Sequence, residues 1–324
     1  MKTKILLICA ITVVCISAVS VSGAAASGAP VRMAVLQTDI HHLAFWVAKE
    51  KGMFERHGVQ MELAGVFRAG PEIMSAFGAE SLDMAYVGEA PATTAVANRA
   101  ADVVAVAQVN TEGSALVIGK TDDRIKTLSD LTGKTVAVPG HSTVQDFLLR
   151  KALAARNVDI STVNIMVIKP PEMIAALRTG QIDAFVAWEP HPSKSATMGV
   201  GKNLMTSHEM WEAHPCCVLV AGADFLKNHR EAVKSVLKAH VEATNFILEN
   251  REEAVKIGMS STGMDEETVR RAMETVNFTY DLNIEGEKEY VQFLSEIGYI
   301  KVPDVNRFVD RFIQGDLLKE VLHP

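Results

Sequence analysis

The sequence predicts an α/β protein of two similar lobes, each a mainly parallel sheet covered by helices, with a helical tail at the C-terminal end. Three observations carry this. From residue 31 short apolar runs alternate with helix-length stretches, the grammar of parallel sheets with helical crossovers. Residues 71–89 recur, without a gap, at 171–189. From Phe225 onward the periodicity is helical almost throughout.

Taken in order, Val31 to Leu36 reads as a strand, Leu43 to Glu50 as a helix, and Val59 to Val66 as a strand with Val59, Met61 and Leu63 on one face. Glu72 to Phe77 is helix, Asp83 to Val87 strand and Pro91 to Arg99 helix, and Val103 to Val109 and Ala115 to Gly119 continue as strands. The second half repeats the order: Lys134 to Val138 strand, Ser142 to Arg156 helix, Val163 to Ile168 strand, Pro171 to Arg178 helix, Ile182 to Ala187 strand. The repeat is literal in places, with Pro71/Pro171, Glu72/Glu172, Ala76/Ala176, Asp83/Asp183 and Glu89/Glu189 identical. Helices are then predicted over Glu231 to Glu249, Glu266 to Val276, Glu287 to Ile297 and Val305 to Ile313.

Such a tail packs back on an earlier lobe, which makes the first lobe discontinuous. The expected division is a leader over 1–29, lobe I over 30–117 and 219–324, and lobe II over 118–218. The chain crosses near Ser114 to Gly119 and returns near Cys217 to Ala221, and two extended crossings form a hinge.

At 324 residues and 48% hydrophobic, the chain can bury two cores. Its charge of -7 comes from 32 basic and 39 acidic residues without long runs, so no nucleic-acid stripe or polybasic membrane patch is visible. The basic start Met1 to Lys4, the apolar run Ile5 to Val19 and the small residues Ser20 to Ala29 have the layout of a secretory signal. Left uncut, that segment would be an N-terminal membrane tether; cut after Ala29, it leaves a soluble, exported protein beginning near Pro30. Cys9 and Cys15 fall inside it, after bulky residues where a lipoprotein signal places a small one. Cys216 and Cys217 are sequence neighbours, about 3.8 Å apart at Cα and below the usual disulfide span, so two buried thiols are expected, with a strained vicinal disulfide in an oxidising compartment as the alternative.

Ligand sites of parallel α/β sheets lie beyond the carboxyl ends of the strands, where helix N-termini present free N–H groups. That places Thr38, Asp39, His41 and His42 after the first strand, Gly88 and Glu89 after the third, and Asn110, Glu112 and Ser114 at the first crossing. The second lobe offers Gly140, Ser142 and Thr143, then Trp188 and Glu189, then His214. Gly140 to Thr143 is the sharpest, since glycine admits close approach and Ser142 or Thr143 can cap a helix while contacting an anion. Each residue also has a plain structural reading: Glu89 and Glu189 as solvated carboxylates or salt-bridge partners, Trp188 as lobe packing, the histidines as satisfied structural groups.

Signatures of chemistry are missing. Gly140-His141-Ser142-Thr143-Val144 has Val144 where a nucleophile elbow needs glycine, His208-Glu209 with His214 has the wrong spacing for a zinc helix, and no Cys/His set has metal spacing. No catalytic residue, metal or cofactor is therefore expected.

The blocks FWVAKEKGMFERHGV (45–59), LDMAYVGEAPA (82–92), NTEGSALVI (110–118), TGKTVAVPGHSTVQDFLLRKAL (132–153), GQIDAFVAWEP (180–190) and HPCCVLV (214–220) resemble the nitrate/sulfonate/taurine-type substrate-binding proteins of ABC importers, which include thiamine-pyrimidine-precursor binders. The resemblance implies a type II periplasmic-binding fold that closes on a small anionic or zwitterionic solute, taurine-like or another sulfonate by preference, and hands it to a membrane permease with its ATPase. Nitrate, bicarbonate or a pyrimidine precursor are the alternatives on the same scaffold. A small lyase of this fold is a further reading, opposed by the export signal; a sensor ectodomain is another, opposed by the lack of a second membrane segment.

Overall fold

In the computed structural model, residues 29–323 are described, so the leader assigned to 1–29, with Cys9 and Cys15, lies outside the described residues except for Ala29. Among the described residues no helix is long and apolar enough to cross a membrane.

Among the described residues eleven strands form two sheets: β1 (Val31–Leu36), β2 (Met61–Phe67), β3 (Met84–Gly88), β4 (Val103–Glu112), β5 (Ser114–Gly119), β6 (Thr135–Val138), β7 (Asn164–Val167), β8 (Ala184–Trp188), β9 (Gly201–Thr206), β10 (Pro215–Gly222) and β11 (Val276–Phe278). The first sheet runs β11-β4-β10-β3-β1-β2 and the second β7-β6-β8-β5-β9. In the first, β1 pairs in parallel with β2 and β3, while β10 is antiparallel to both β3 and β4. In the second, β6 pairs in parallel with β7 and β8, and β5 is antiparallel to β8 and β9. Both sheets are thus mixed: the edge strand β11 is antiparallel to β4, and the interior strands that run against the common direction, β10 and β5, are those that carry the chain into each lobe.

The sequence repeat has a structural counterpart. Asp83 accepts the backbone N–H of Arg32 at the start of β1 at 2.8 Å, and Asp183 accepts that of Thr135 at the start of β6 at 2.9 Å. A carboxylate at this point fixes where each first strand begins beside the third, so the same aspartate recurs 100 residues on.

The crossings are tighter than the sequence suggests. Only Gly113 separates β4 from β5, and the return runs through the short helix Ser207–Met210 before β10. Glu112 ties the two together: one carboxylate oxygen accepts Ala213 N–H and bonds the His208 ring, each at 2.7 Å, and the Glu112 N–H donates to His214 O at 3.1 Å.

Helix Arg230–Glu249 buries Val233, Val236, Leu237, His240, Ala243, Thr244 and Ile247, a stripe at three- and four-residue spacing. It packs on helix Leu43–Glu50 of lobe I. The tail also reaches lobe II. Helix Glu266–Glu274 lies against helix His191–Thr197, and the Tyr299 hydroxyl donates to Asp146 at 2.9 Å.

Candidate functional site

The site follows from where the strands end. β1, β3, β6 and β8 point their carboxyl ends toward the gap between lobes, and the loops there bring Leu36, Asp39, His41, Gly70, Gly88, Pro91, Thr143, Val144, Gln145, Trp188, Cys216 and Cys217 around one crevice. Its enclosed space is about 20 Å³, room for roughly one water-sized body, so the lobes stand closed. A far larger open groove, about 1400 Å³, lies at the opposite, amino ends of the first sheet's parallel strands and mixes Arg32, Asp83, Asp102 and Lys301 with Phe308. Helices Ala223–Asn228 and Val305–Phe312 begin there, but none of its described lining residues comes from the second sheet's half of the chain, so it does not lie between the two sheets and size alone does not make it the site.

Three helices begin at the crevice. Gly70 starts helix Gly70–Gly78, Gly88 precedes helix Glu89–Ala97, and Thr143 caps helix Val144–Ala154 by accepting Asp146 N–H. Their N-termini supply positive potential. Among the described residues that line the crevice, none is Lys or Arg. The lobes approach so closely that a Cβ on Gly88 would stand 3.1 Å from Val144 Cγ2 across the gap.

Of the residues expected from sequence, Asp39, His41, Gly88, Thr143 and Trp188 line this space. Thr38 contributes its carbonyl, which accepts the Trp188 indole N–H at 3.4 Å across the lobes. His42 sits behind, its Nδ1 accepting Leu36 N–H at 3.0 Å, and burial holds its ring well below the usual histidine range. Asn110, Glu112 and Ser114 belong to the hinge: Asn110 donates to Glu112 O at 3.0 Å, and Ser114 N–H donates to Ser207 Oγ at 3.1 Å. Gly140 O accepts the Thr143 hydroxyl at 2.7 Å, whereas Ser142 turns its N–H to Asp146 at 3.0 Å. His214 stacks on Trp211, away from the lining.

Glu89 and Glu189 are neither solvated nor paired with a cation. Both are buried, and burial pushes each up to about 7, against hydrogen bonds from the Glu287 carboxyl and Gln108 to Glu89 and from Ser193 to Glu189. Glu89 Oε1 and Glu287 Oε2 have no other partner, so the two carboxyls hold one proton between them.

Sequence reasoning missed Leu36, Gly70, Val144, Gln145 and the role of Cys216 and Cys217. Gln145 was findable, standing two residues after the cap; its amide donates to Ser114 Oγ at 2.9 Å, linking helix to hinge. The thiols are unbridged and buried, with sulfurs 3.9 Å apart. No local spacing joins them to His41, yet the fold sets His41 Nδ1 at 3.6 Å from Cys216 Sγ and 3.8 Å from Cys217 Sγ. Burial opposes charge on all three. The His41 ring and Cys216 offset it mutually: the ring is raised to about 9, the Cys216 thiol falls well below its usual range and the Cys217 thiol rises.

Two lobes joined by two crossings, with a crevice where strand ends and helix N-termini of both converge, define the two-lobed periplasmic-binding fold. The alkanesulfonate-binding protein SsuA of Xanthomonas axonopodis pv. citri, solved with MOPS bound, shares this fold at a TM-score of 0.77 and 17% identity, over 89% of this chain and 99% of that one. The chain belongs to the NMT1-like family, whose family model matches residues 24–259. A putative binding protein of Brucella abortus is 30% identical over 213 residues, 65% of each chain. The taurine-binding periplasmic protein of Escherichia coli is 31% identical over 187 residues, 57% of each. The chain thus spans a little under two thirds of the length of the Brucella relative that it matches.

Proposed function

We propose that this protein is the extracytoplasmic solute-binding component of an ABC importer, with no chemistry of its own, and that its cargo is a small zwitterion of the aminosulfonate type. One observation carries the reading. Three helix N-termini from both lobes meet at the crevice beside a buried carboxylate, Asp39, with no Lys or Arg among the described lining residues. The helix ends and the Gln145 amide favour an anionic group, and Asp39 favours an ammonium at the other end. The names of the taurine- and alkanesulfonate-binding relatives point the same way.

The moving bodies are taken as residues 30–117 with 219–324, and 118–218, turning about Gly113 and the return segment. The closed crevice is too small for several heavy atoms, so the solute enters with the lobes apart and holds them less tightly shut than here. Delivery is to a permease with its ATPase. A thermal-shift screen of taurine, short alkanesulfonates, nitrate, bicarbonate and pyrimidines tests this: a ligand that binds only the folded state raises Tm by several degrees. Taurine or a sulfonate is expected to lead the panel. No shift with either, alongside a shift with nitrate or a pyrimidine, would remove the aminosulfonate reading.

A further inference from the structure

The floor of the crevice carries a second arrangement, which has only Asp39 in common with the groups assigned to solute capture. His41 Nδ1, Cys216 Sγ and Cys217 Sγ form a triangle with edges of 3.6, 3.8 and 3.9 Å, all three residues buried. Metal–sulfur bonds of about 2.3 Å and metal–nitrogen bonds of about 2.0 Å set ligand atoms roughly 3.5–4.0 Å apart in tetrahedral or trigonal sites, so this triangle closes on one ion without rearrangement. The ring is oriented for it. His41 Nε2 donates to Gly113 O at 2.8 Å, which leaves Nδ1 as the nitrogen facing both sulfurs.

Without an ion the triangle is held by hydrogen bonds, Cys217 Sγ donating to Cys216 Sγ at 3.9 Å and Cys216 Sγ pairing with His41 Nδ1 at 3.6 Å, so the same three atoms that would ligate a metal are already gathered. A fourth donor stands beside them. Asp39 Oδ1 lies 3.5 Å from His41 Nδ1, and Asp39 Oδ2 is buried without a hydrogen-bond partner. Asp39, His42 and Cys217 also bring donor atoms within 4.8 Å of one another.

We propose that His41, Cys216 and Cys217 bind a single thiophilic d10 cation, Zn²⁺ or Cu⁺, with Asp39 as the fourth ligand when the ion is zinc. Both sulfurs bind as thiolates and His41 through an unprotonated Nδ1, so two protons leave to solvent as the ion enters, one from the Cys217 thiol and one from the His41–Cys216 pair. Being buried between closed lobes, the site loads only when the crevice opens. This goes beyond the aminosulfonate reading and does not rest on it.

The test uses the reduced full chain without oxygen, titrated with Zn²⁺ or Cu⁺ against a chromophoric competitor, with metal content read by mass spectrometry. One ion per chain is expected, held at least a hundredfold more weakly by Cys216→Ser, Cys217→Ser or His41→Ala. Asp39→Asn is expected to weaken zinc tenfold or more and to leave copper unchanged. X-ray absorption on the loaded wild type, which needs no variant to fold, is expected to show two sulfur ligands at about 2.3 Å. Failure to take up either ion stoichiometrically, an absorption spectrum of oxygen and nitrogen ligands alone, or full retention in the double serine variant would overturn the site. A taurine-induced Tm shift in the metal-free chain reports on the solute reading separately.

Discussion

The carbonyl oxygen of Gly113 accepts a hydrogen bond from His41 Nε2 at 2.8 Å, joining the hinge to the floor of the crevice; the Glu189 N–H donates to the same oxygen at 2.9 Å. Gly113 has φ +85°, and a Cβ there would meet His41 Nε2 at 2.4 Å and Val276 Cγ2 at 2.6 Å. Gly113→Ala is therefore expected to cost about 1–3 kcal/mol of stability from the backbone strain alone. Urea denaturation checks it, and an unchanged midpoint would show that the hinge relaxes freely.

The repeat places reciprocal ion pairs on the crevice rim. Glu72 of lobe I meets Lys169 of lobe II at 3.0 Å, while Glu172, the repeat equivalent of Glu72, meets Arg68 at 2.6 Å. Both pairs are largely exposed, and such pairs contribute about 0–1 kcal/mol each. Glu72→Gln with Glu172→Gln is expected to leave Tm within a few degrees yet raise the solute-free radius of gyration in small-angle scattering. High salt should reproduce that expansion in the wild type.

The shared proton of Glu89 and Glu287 makes stability pH-dependent. Burial raises Glu89 from the ordinary 4.5 to about 7 and Glu287 well above its usual range. The folded state then holds protons that the unfolded chain releases, so this contribution is present below about 4.5 and is lost as pH rises through about 7. The loss is on the order of 3 kcal/mol. Glu287→Gln, which donates permanently to Glu89, is expected to make the fall in Tm between pH 5 and pH 8 shallower without abolishing it, because burial also raises Glu189 and Asp39 to about 7, and to exceed the wild type at the upper end. A wild-type slope retained in the variant would place the titration elsewhere.

Thr143 and Ser142 separate by role. The Thr143 hydroxyl caps helix Val144–Ala154 and lines the crevice, whereas Ser142 offers its backbone to Asp146 and stays out of the lining. Thr143→Ala is expected to cost about 1 kcal/mol as a lost cap and to weaken taurine binding about tenfold or more by calorimetry. Ser142→Ala should change affinity less than threefold. The opposite ranking would move the anion contact to Ser142.

Much of this fold was legible because its determinants are local. Apolar runs ending in glycine or proline, a repeat anchored by Asp83 and Asp183, and the amphipathic stripe of Arg230–Glu249 all show in the residues. β9 escaped notice because GKNLMT is short and polar, lies at the sheet edge and draws its order from β5. Helix Arg251–Thr262 was hidden by Gly258, a helix breaker on paper, whose missing side chain admits Ile40 and Val269; a Cβ would stand 2.9 Å from each. In the site, strand-end logic found Asp39, His41, Gly88, Thr143 and Trp188. It could not find the meeting of His41 with Cys216 and Cys217, which depends on β10 inserting between β3 and β4 with Cys217 opposite Gly88. Burial of Glu89 was equally invisible, since the partner that shares its proton lies 198 residues away in the tail.

The central claim is that capture occurs between the lobes, and the contact of Gly88 with Val144 offers a way to obstruct that space. Calorimetric titration of taurine into the wild type and into Gly88→Leu tests it most directly, with urea midpoints confirming that both are folded. Binding at one site per chain in the wild type, lost in Gly88→Leu, is the predicted result. Equal affinity in the two proteins would place the ligand outside the crevice and contradict the account.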